Sequence, residues 1–127
     1  AGIYDGSYGV ISGIEVIKVL KEQGFTPPRP IAVAVFTNEE GVRYQPDMMG
    51  SLVYSGNFSV DEALKTVGTD GTVLGEQLEK IGYDGTREPG FLQPNAYVEL
   101  HVEQGPVLAN INKPIKFARY FVAGNNN

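Results

Sequence analysis

Hydrophobic positions fall into one long helical stretch, one short run apolar on both faces, and one alternating run. Over residues 7–22, Val10, Ile14 and Ile17 recur at helical spacing, and Ile11, Val16, Val19 and Leu20 widen the stripe. So wide an apolar face predicts a helix packed on a sheet. Gly24 is placed to end it, and Pro27, Pro28 and Pro30 prevent a restart. Residues 31–37, IAVAVFT, carry no polar face, the pattern of a central strand covered on both sides in a mostly parallel sheet. That run leads straight into Asn38-Glu39-Glu40-Gly41.

Further along, residues 46–56 mix loop and short helix, and 60–67 and 74–82 predict two more helices. Ser59 is a natural cap for the first, with Asp61 and Glu62 in its opening turn, and Gly82 ends the second. The Gly- and Pro-broken stretch 83–95 reads as a loop. Residues 96–103 alternate: Val98, Leu100 and Val102 point one way, and Tyr97, Glu99, His101 and Glu103 the other. Gly105-Pro106 stops that strand, a last strand is expected over 115–123, and three Asn form a polar tail. Helix, short link and buried strand make an α/β rhythm, so the expected fold is a mostly parallel sheet flanked by helices.

Composition narrows the class. A chain of 127 residues supports one compact domain. Lys and Arg number 10 against 15 Asp and Glu, a net charge of −5, which argues against a nucleic acid or an anionic membrane as partner and leaves a small molecule. There are no cysteines, hence no disulfide scaffold, thiol nucleophile or Cys-ligated metal. No apolar run approaches the roughly 18 residues of a spanning helix, and no secretory signal opens the sequence; a soluble, cytoplasmic protein is expected. The single histidine, His101, means that a mechanism needing several imidazoles is incomplete within these residues.

Three places put polar groups where a sheet protein keeps its site. Asp5 stands just ahead of the first helix, and a local reading also allows a turn or N-cap aspartate. Glu39 and Glu40 follow the apolar run, at the strand end where open α/β sheets bind ligands. Adjacent carboxylates are costly unless a cation or Arg43 compensates them; a solvated acidic loop is the plainer alternative. His101 sits on a polar strand face between Glu99 and Glu103, either as a metal ligand steadied by a carboxylate or as an ordinary exposed histidine. Together they offer oxygen and nitrogen donors without sulfur, a set suited to zinc, manganese, cobalt or nickel in a hydrolase. The chemistry would be metal-assisted hydrolysis, with a bridging carboxylate holding two ions about 3.5–4 Å apart and a second carboxylate as base.

Three segments, IYDGSYGVISGIEVIKVL, IAVAVFTNEEGVRYQPDMMGSLVYSG and AYVELHVEQGPVLA, resemble the amidase/carbamoylase branch of the dinuclear metallopeptidases related to aminoacylase and carboxypeptidase G. That branch includes N-carbamoyl-L-amino-acid hydrolases, β-ureidopropionases and allantoate amidohydrolases. FTNEEG with the following MMGS, and ELHVEQGP, carry the resemblance in combination. It implies that Asp5 bridges two divalent metal ions, that Glu40 and His101 each bind one of them, and that Glu39 is the general base toward the bridging water. Gln104 matches a polar side chain close to the substrate.

The resemblance also implies what lies elsewhere. The family's His-x-Asp segment upstream, its last histidine ligand and its inserted dimerisation domain are not found in these residues, and NINKPIKFARYFVAGNNN does not align. The expectation is therefore a partial, zinc-exopeptidase-like catalytic domain over 1–127 from a homodimeric amidohydrolase, acting on N-carbamoyl-L-amino acids or related ureido acids. The alternatives are the same machinery on allantoate, N-acyl amino acids or dipeptides, and a non-catalytic truncated remnant.

Overall fold

A computed structural model describes residues 2–113 and the strand backbone of 116–120. It forms two compact units: Phe36–Gln93 is one, and the chain before and after that segment makes the other.

In the flanking unit the main helix is α1, Ser7–Glu22, with the bounds its periodicity predicts. Gly24 ends it in the left-handed region at φ +66°. The Gly24 N–H donates to the Lys21 carbonyl and the Phe25 N–H to that of Leu20, closing two carbonyls that the helix leaves open. Helix α1 lies on strand β1, Tyr97–His101. Two glycines let β1 and the 31–37 segment come close to the helix. A Cβ on Gly9 would stand 2.9 Å from the Leu100 carbonyl oxygen, and one on Gly13 would press on the Val33 side chain at 3.2 Å.

Strand β1 pairs antiparallel with β2, Lys116–Tyr120, in a register that sets His101 opposite Lys116. The rest of the predicted 115–123 strand, and the Asn tail, lie outside the described residues. This two-stranded ribbon is the whole sheet among the described residues, so no parallel pairing forms there. The expected central strand 31–37 makes no ladder either: its backbone is irregular and Val35 is 71% exposed. A strand exists only through a neighbour that takes its N–H and C=O groups, and none of the described residues does so for Ile31–Phe36. The broad apolar face of α1 is likewise only partly covered, with Ile11, Ile14 and Val16 exposed.

The Phe36–Gln93 unit carries the buried core. Helices α2 (Met49–Tyr54), α3 (Val60–Leu64) and α4 (Leu74–Ile81) pack around Tyr44, Met49, Ala63 and Leu74, with Val53, Phe58 and Leu78 at the margin. Met49, at 2% exposure, is the most enclosed; burying such a side chain contributes about 1.5–3 kcal/mol. Ser59 caps α3, accepting from the Glu62 N–H at 3.2 Å, and Gly82 ends α4 at φ +71°. Helix α3 is shorter than the predicted 60–67, because Val67 leaves it to bridge Val73.

Polar ties close this unit. The Arg43 Nε donates to Asp70 Oδ2 at 2.8 Å and its Nη2 to the Thr72 hydroxyl at 3.0 Å, which also pairs with the Tyr44 hydroxyl at 2.8 Å. The Thr72 hydroxyl and backbone N–H both donate to Asp70 Oδ1. Those two bonds, with Arg43 adding to them, hold the Asp70 carboxyl below its ordinary value of 3.8. Among the described residues no helix is long and apolar enough to cross a membrane.

Two predictions test this arrangement. Gly9→Ala is expected to lose about 1–3 kcal/mol in urea unfolding, because β1 must shift, while Gly2→Ala, with open space around it, stays within about 0.5 kcal/mol of wild type. A carboxyl with a lowered folded-state pKa contributes stability that is complete above the unfolded value and fades as pH falls through the folded one. Acid unfolding followed below pH 3.8 should therefore be less steep in Asp70→Asn than in wild type.

Candidate metal centre

Asp5 lies in the turn that precedes α1, its N–H donating to the Gly2 carbonyl at 3.0 Å. It does not cap the helix: Gly6 occupies that position, at φ +66°. The carboxylate points instead toward the end of β1. His101 Nε2 stands 3.3 Å from Asp5 Oδ1, and the Asp5 side chain is only 7% exposed. The Gln104 side-chain amide donates to the other oxygen, Oδ2.

The other ring nitrogen of His101, Nδ1, faces the Val102 carbonyl. A carbonyl can only accept, so Nδ1 carries the hydrogen. Nε2 then either holds a second proton and donates to Asp5, or presents a lone pair to a carboxylate lone pair. The second arrangement is repulsive unless a cation lies between the two atoms. An imidazole whose Nδ1–H is anchored on a backbone carbonyl, leaving Nε2 free, is the usual form of a metal-ligating histidine. Two donors on one tetrahedral ion at about 2.1 Å stand about 3.4 Å apart, close to the separation here. The donor pair therefore fits a divalent cation.

The sequence placed Glu99 and Glu103 as the carboxylates beside His101, and the structure gives them other work. Glu99 accepts from the Tyr97 hydroxyl at 2.9 Å, and Glu103 accepts from the Leu108 N–H at 2.7 Å. The carboxylate at His101 is the sequence-distant Asp5.

Glu39 and Glu40 belong to the Phe36–Gln93 unit. The turn carrying them is fixed by helix α2. Its opening donors, Met48, Met49 and Gly50 N–H, have no partner within the helix and no side-chain cap; they bond to the carbonyls of Glu39 (2.6 Å), Asn38 (3.3 Å) and Thr37 (2.9 Å). Asn38 takes φ +54°, a conformation asparagine tolerates, and its amide donates to the Tyr44 and Pro46 carbonyls at 2.7 and 3.2 Å. A Cβ at Gly50 would sit 2.7 Å from both Thr37 N and O. Asn38 and Gly50 are thus positioning residues that the motifs did not reveal; their signal was an Asn directly before the two acids and a Gly in the first turn of the short helix that follows.

Both acid side chains are exposed and have no hydrogen-bond or ion-pair partner among the described residues. Arg43, offered as their counter-charge, is committed to Asp70. Water bears the cost of the adjacent carboxylates, so no compensating cation is required. Among the described residues no group of three His, Asp or Glu side chains forms a metal cage; Asp5 and His101 stand as a pair.

An acidic oxygen and an imidazole nitrogen converge at the end of β1, two donors of the kind that metal-dependent hydrolases use. Comparison with known proteins makes the assignment narrower. The profile of peptidase family M20/M25/M40 matches residues 1–118, and the chain belongs to that family. It is 39% identical to an N-carbamoyl-L-amino-acid amidohydrolase of Rhizobium meliloti, over 90% of this chain and 27% of the relative. It is 38% identical to an allantoate deiminase of Arabidopsis thaliana, over 91% of this chain and 23% of that one. A solved hydantoinase/carbamoylase family amidase from Burkholderia ambifaria superposes with a TM-score of 0.81 at 42% identity, covering 85% of this chain and 26% of its own. The chain thus spans about a quarter of the length of the relatives it matches.

Gly50→Ala should displace the Thr37–Glu39 turn from α2, since both contacts are backbone atoms. A loss of about 1–3 kcal/mol, with faster amide exchange at Met48 and Met49, is the expected result; unchanged exchange at those two amides would contradict it.

Proposed function

We propose that this chain is part of the catalytic domain of a metal-dependent amidohydrolase that cleaves the C–N bond of N-carbamoyl-L-amino acids or related ureido acids. The observation that carries the reading is the facing of His101 Nε2 and Asp5 Oδ1 at 3.3 Å, with Nδ1 anchored on a backbone carbonyl. Relatives named as carbamoyl-amino-acid and allantoate enzymes support the reaction class. In this reading Asp5, Glu40 and His101 would hold two divalent ions, zinc or one of manganese, cobalt and nickel. Bound metal would supply Lewis acidity toward the carbonyl oxygen and a more acidic water. Glu39, without an ion-pair partner among the described residues, is the base that receives the water's proton and returns it to the leaving nitrogen. Gln104 serves the substrate side. For a carbamoyl substrate the products are an amine, ammonia and carbon dioxide.

The remaining donors, the parallel strands that would cover Ile31–Thr37 and the contacts of a homodimer are assigned to parts of the protein outside these 127 residues. The setting is cytoplasmic and the partner a small molecule. Allantoate is the second substrate candidate, favoured by an identity of 38% to the allantoate deiminase against 39% to the carbamoylase.

In the longer protein encoded by the parent gene, Glu39→Gln is expected to lower kcat on N-carbamoyl-L-amino acids by about 10²–10⁴ with little change in KM. Parallel assays on allantoate, N-acetyl amino acids and dipeptides rank the substrates. The 127-residue chain with added zinc or manganese should release no ammonia above background. Robust turnover by the chain alone, abolished in Glu39→Gln, would show that these residues suffice.

A further inference from the structure

The Glu39 and Glu40 carboxylates are exposed and have no side-chain partner among the described residues, so the backbone of their turn sets where they stand. On one side that backbone is held by the opening amides of α2. On the other it leans on residues 44–46: the Asn38 amide donates to the Tyr44 and Pro46 carbonyls, and the Gln45 amide donates to the Gly41 carbonyl. The same bonds hold Asn38 at its uncommon φ of +54°.

Residues 44–46 are neither helix nor strand, and their mooring is the 68–72 turn. The Thr69 N–H donates to the Arg43 carbonyl at 2.9 Å. The side-chain ties meet at one atom, Thr72 Oγ1. A carboxylate can only accept, so the 2.6 Å contact between this hydroxyl and Asp70 Oδ1 uses the hydroxyl's hydrogen. Its two lone pairs then accept from Arg43 Nη2 at 3.0 Å and from the Tyr44 hydroxyl at 2.8 Å, which must be the donor. The oxygen is saturated. Asp70 Oδ2 fixes the same guanidinium through Nε at 2.8 Å, and the guanidinium lies over the Tyr44 ring, 5.1 Å from its centre.

Arg43 and Asp70 are each 46% exposed, and an ion pair so open to water contributes little to stability. What these converging bonds fix is direction: they hold the Tyr44 main chain, and Asn38 is tied to its carbonyl. We infer that Asp70 and Thr72 are positioning residues for Glu39, acting through Arg43, Tyr44 and Asn38. This rests on Glu39 as the base, as proposed above.

A latch and a plain structural tie leave different signatures. If the Thr72 hub only holds the Phe36–Gln93 unit together, breaking it speeds amide exchange across the unit by one common factor. If it positions the turn, the Met48 and Met49 amides, bonded to the Glu39 and Asn38 carbonyls, speed up selectively. The Ala63 and Tyr83 amides, bonded to the Ser59 and Leu78 carbonyls, stay as they are.

Thr72→Val keeps the side chain's shape and removes the hydroxyl; Thr72→Ser restores it. Asp70→Asn sets an amide against Arg43 Nε at an exposed position. In the ¹⁵N-labelled 127-residue chain, exchange at Met48 and Met49 is expected to rise about tenfold in Thr72→Val and Asp70→Asn, the scale of one lost hydrogen bond, and to stay near wild type in Thr72→Ser. In the longer protein the first two variants should lower kcat on N-carbamoyl-L-amino acids about tenfold, less than the roughly 10²-fold of a 1 Å misplacement. KM should change little, and Thr72→Ser should keep most of the rate. Exchange that rises uniformly, or does not rise at Met48 and Met49, overturns the inference. So does an unchanged kcat where Glu39→Gln removes activity. Should Thr72→Val not fold, Asp70→Asn decides on the same readouts. If Glu39→Gln itself keeps full kcat, the base reading fails and takes the inference with it.

Discussion

Two acceptor atoms cannot face each other at 3.3 Å without positive charge between them, and that is the constraint set by Asp5 and His101. The Val102 carbonyl fixes which ring nitrogen carries the hydrogen, so the remaining choices are an imidazolium or a bound cation. Everything local serves that meeting. Gly6 turns the chain so that Asp5 precedes the helix without capping it, and Gly9 lets α1 approach the Leu100 carbonyl, one residue before the histidine. Antiparallel pairing with β2 holds the strand that presents the ring.

The second unit solves a different problem by similar means. A helix of six residues starts with N–H groups that nothing in the helix can satisfy, and the carbonyls of Thr37, Asn38 and Glu39 supply what is missing. The acid-bearing turn is therefore tied to the helix that needs it, and its carboxylates stay exposed, with no side chain among the described residues claiming them. Arg43, the nearest cation in sequence, is drawn off by Asp70 and Thr72, whose geometry gives a planar guanidinium two acceptors at once.

Legibility in the sequence followed the range of the forces involved. Helix α1 and its end at Gly24 were readable because periodicity, a left-handed glycine and following prolines act within a few residues. Ser59 and Gly82 were readable for the same reason. The segment 31–37 shows the opposite case. Its composition states a preference for burial between two layers, but a strand also requires partners, and those contacts are not local. The identity of the carboxylate at His101 was hidden too: Glu99 and Glu103 are nearer in sequence, yet a tyrosine hydroxyl and a backbone N–H hold them.

The sequence by itself determined α1 and α4 with their ends, the cap that starts α3, the chemical types offered for a site and, through FTNEEG and ELHVEQGP, the family to which the chain belongs. Tertiary structure alone decided which carboxylate meets His101, which oxygen of Asp5 the Gln104 amide takes, and that Arg43 serves Asp70 instead of the paired glutamates. The reason is one of distance along the chain. Capping and periodicity are settled between near neighbours, whereas a charge or a lone pair is settled by whichever group folding brings within reach.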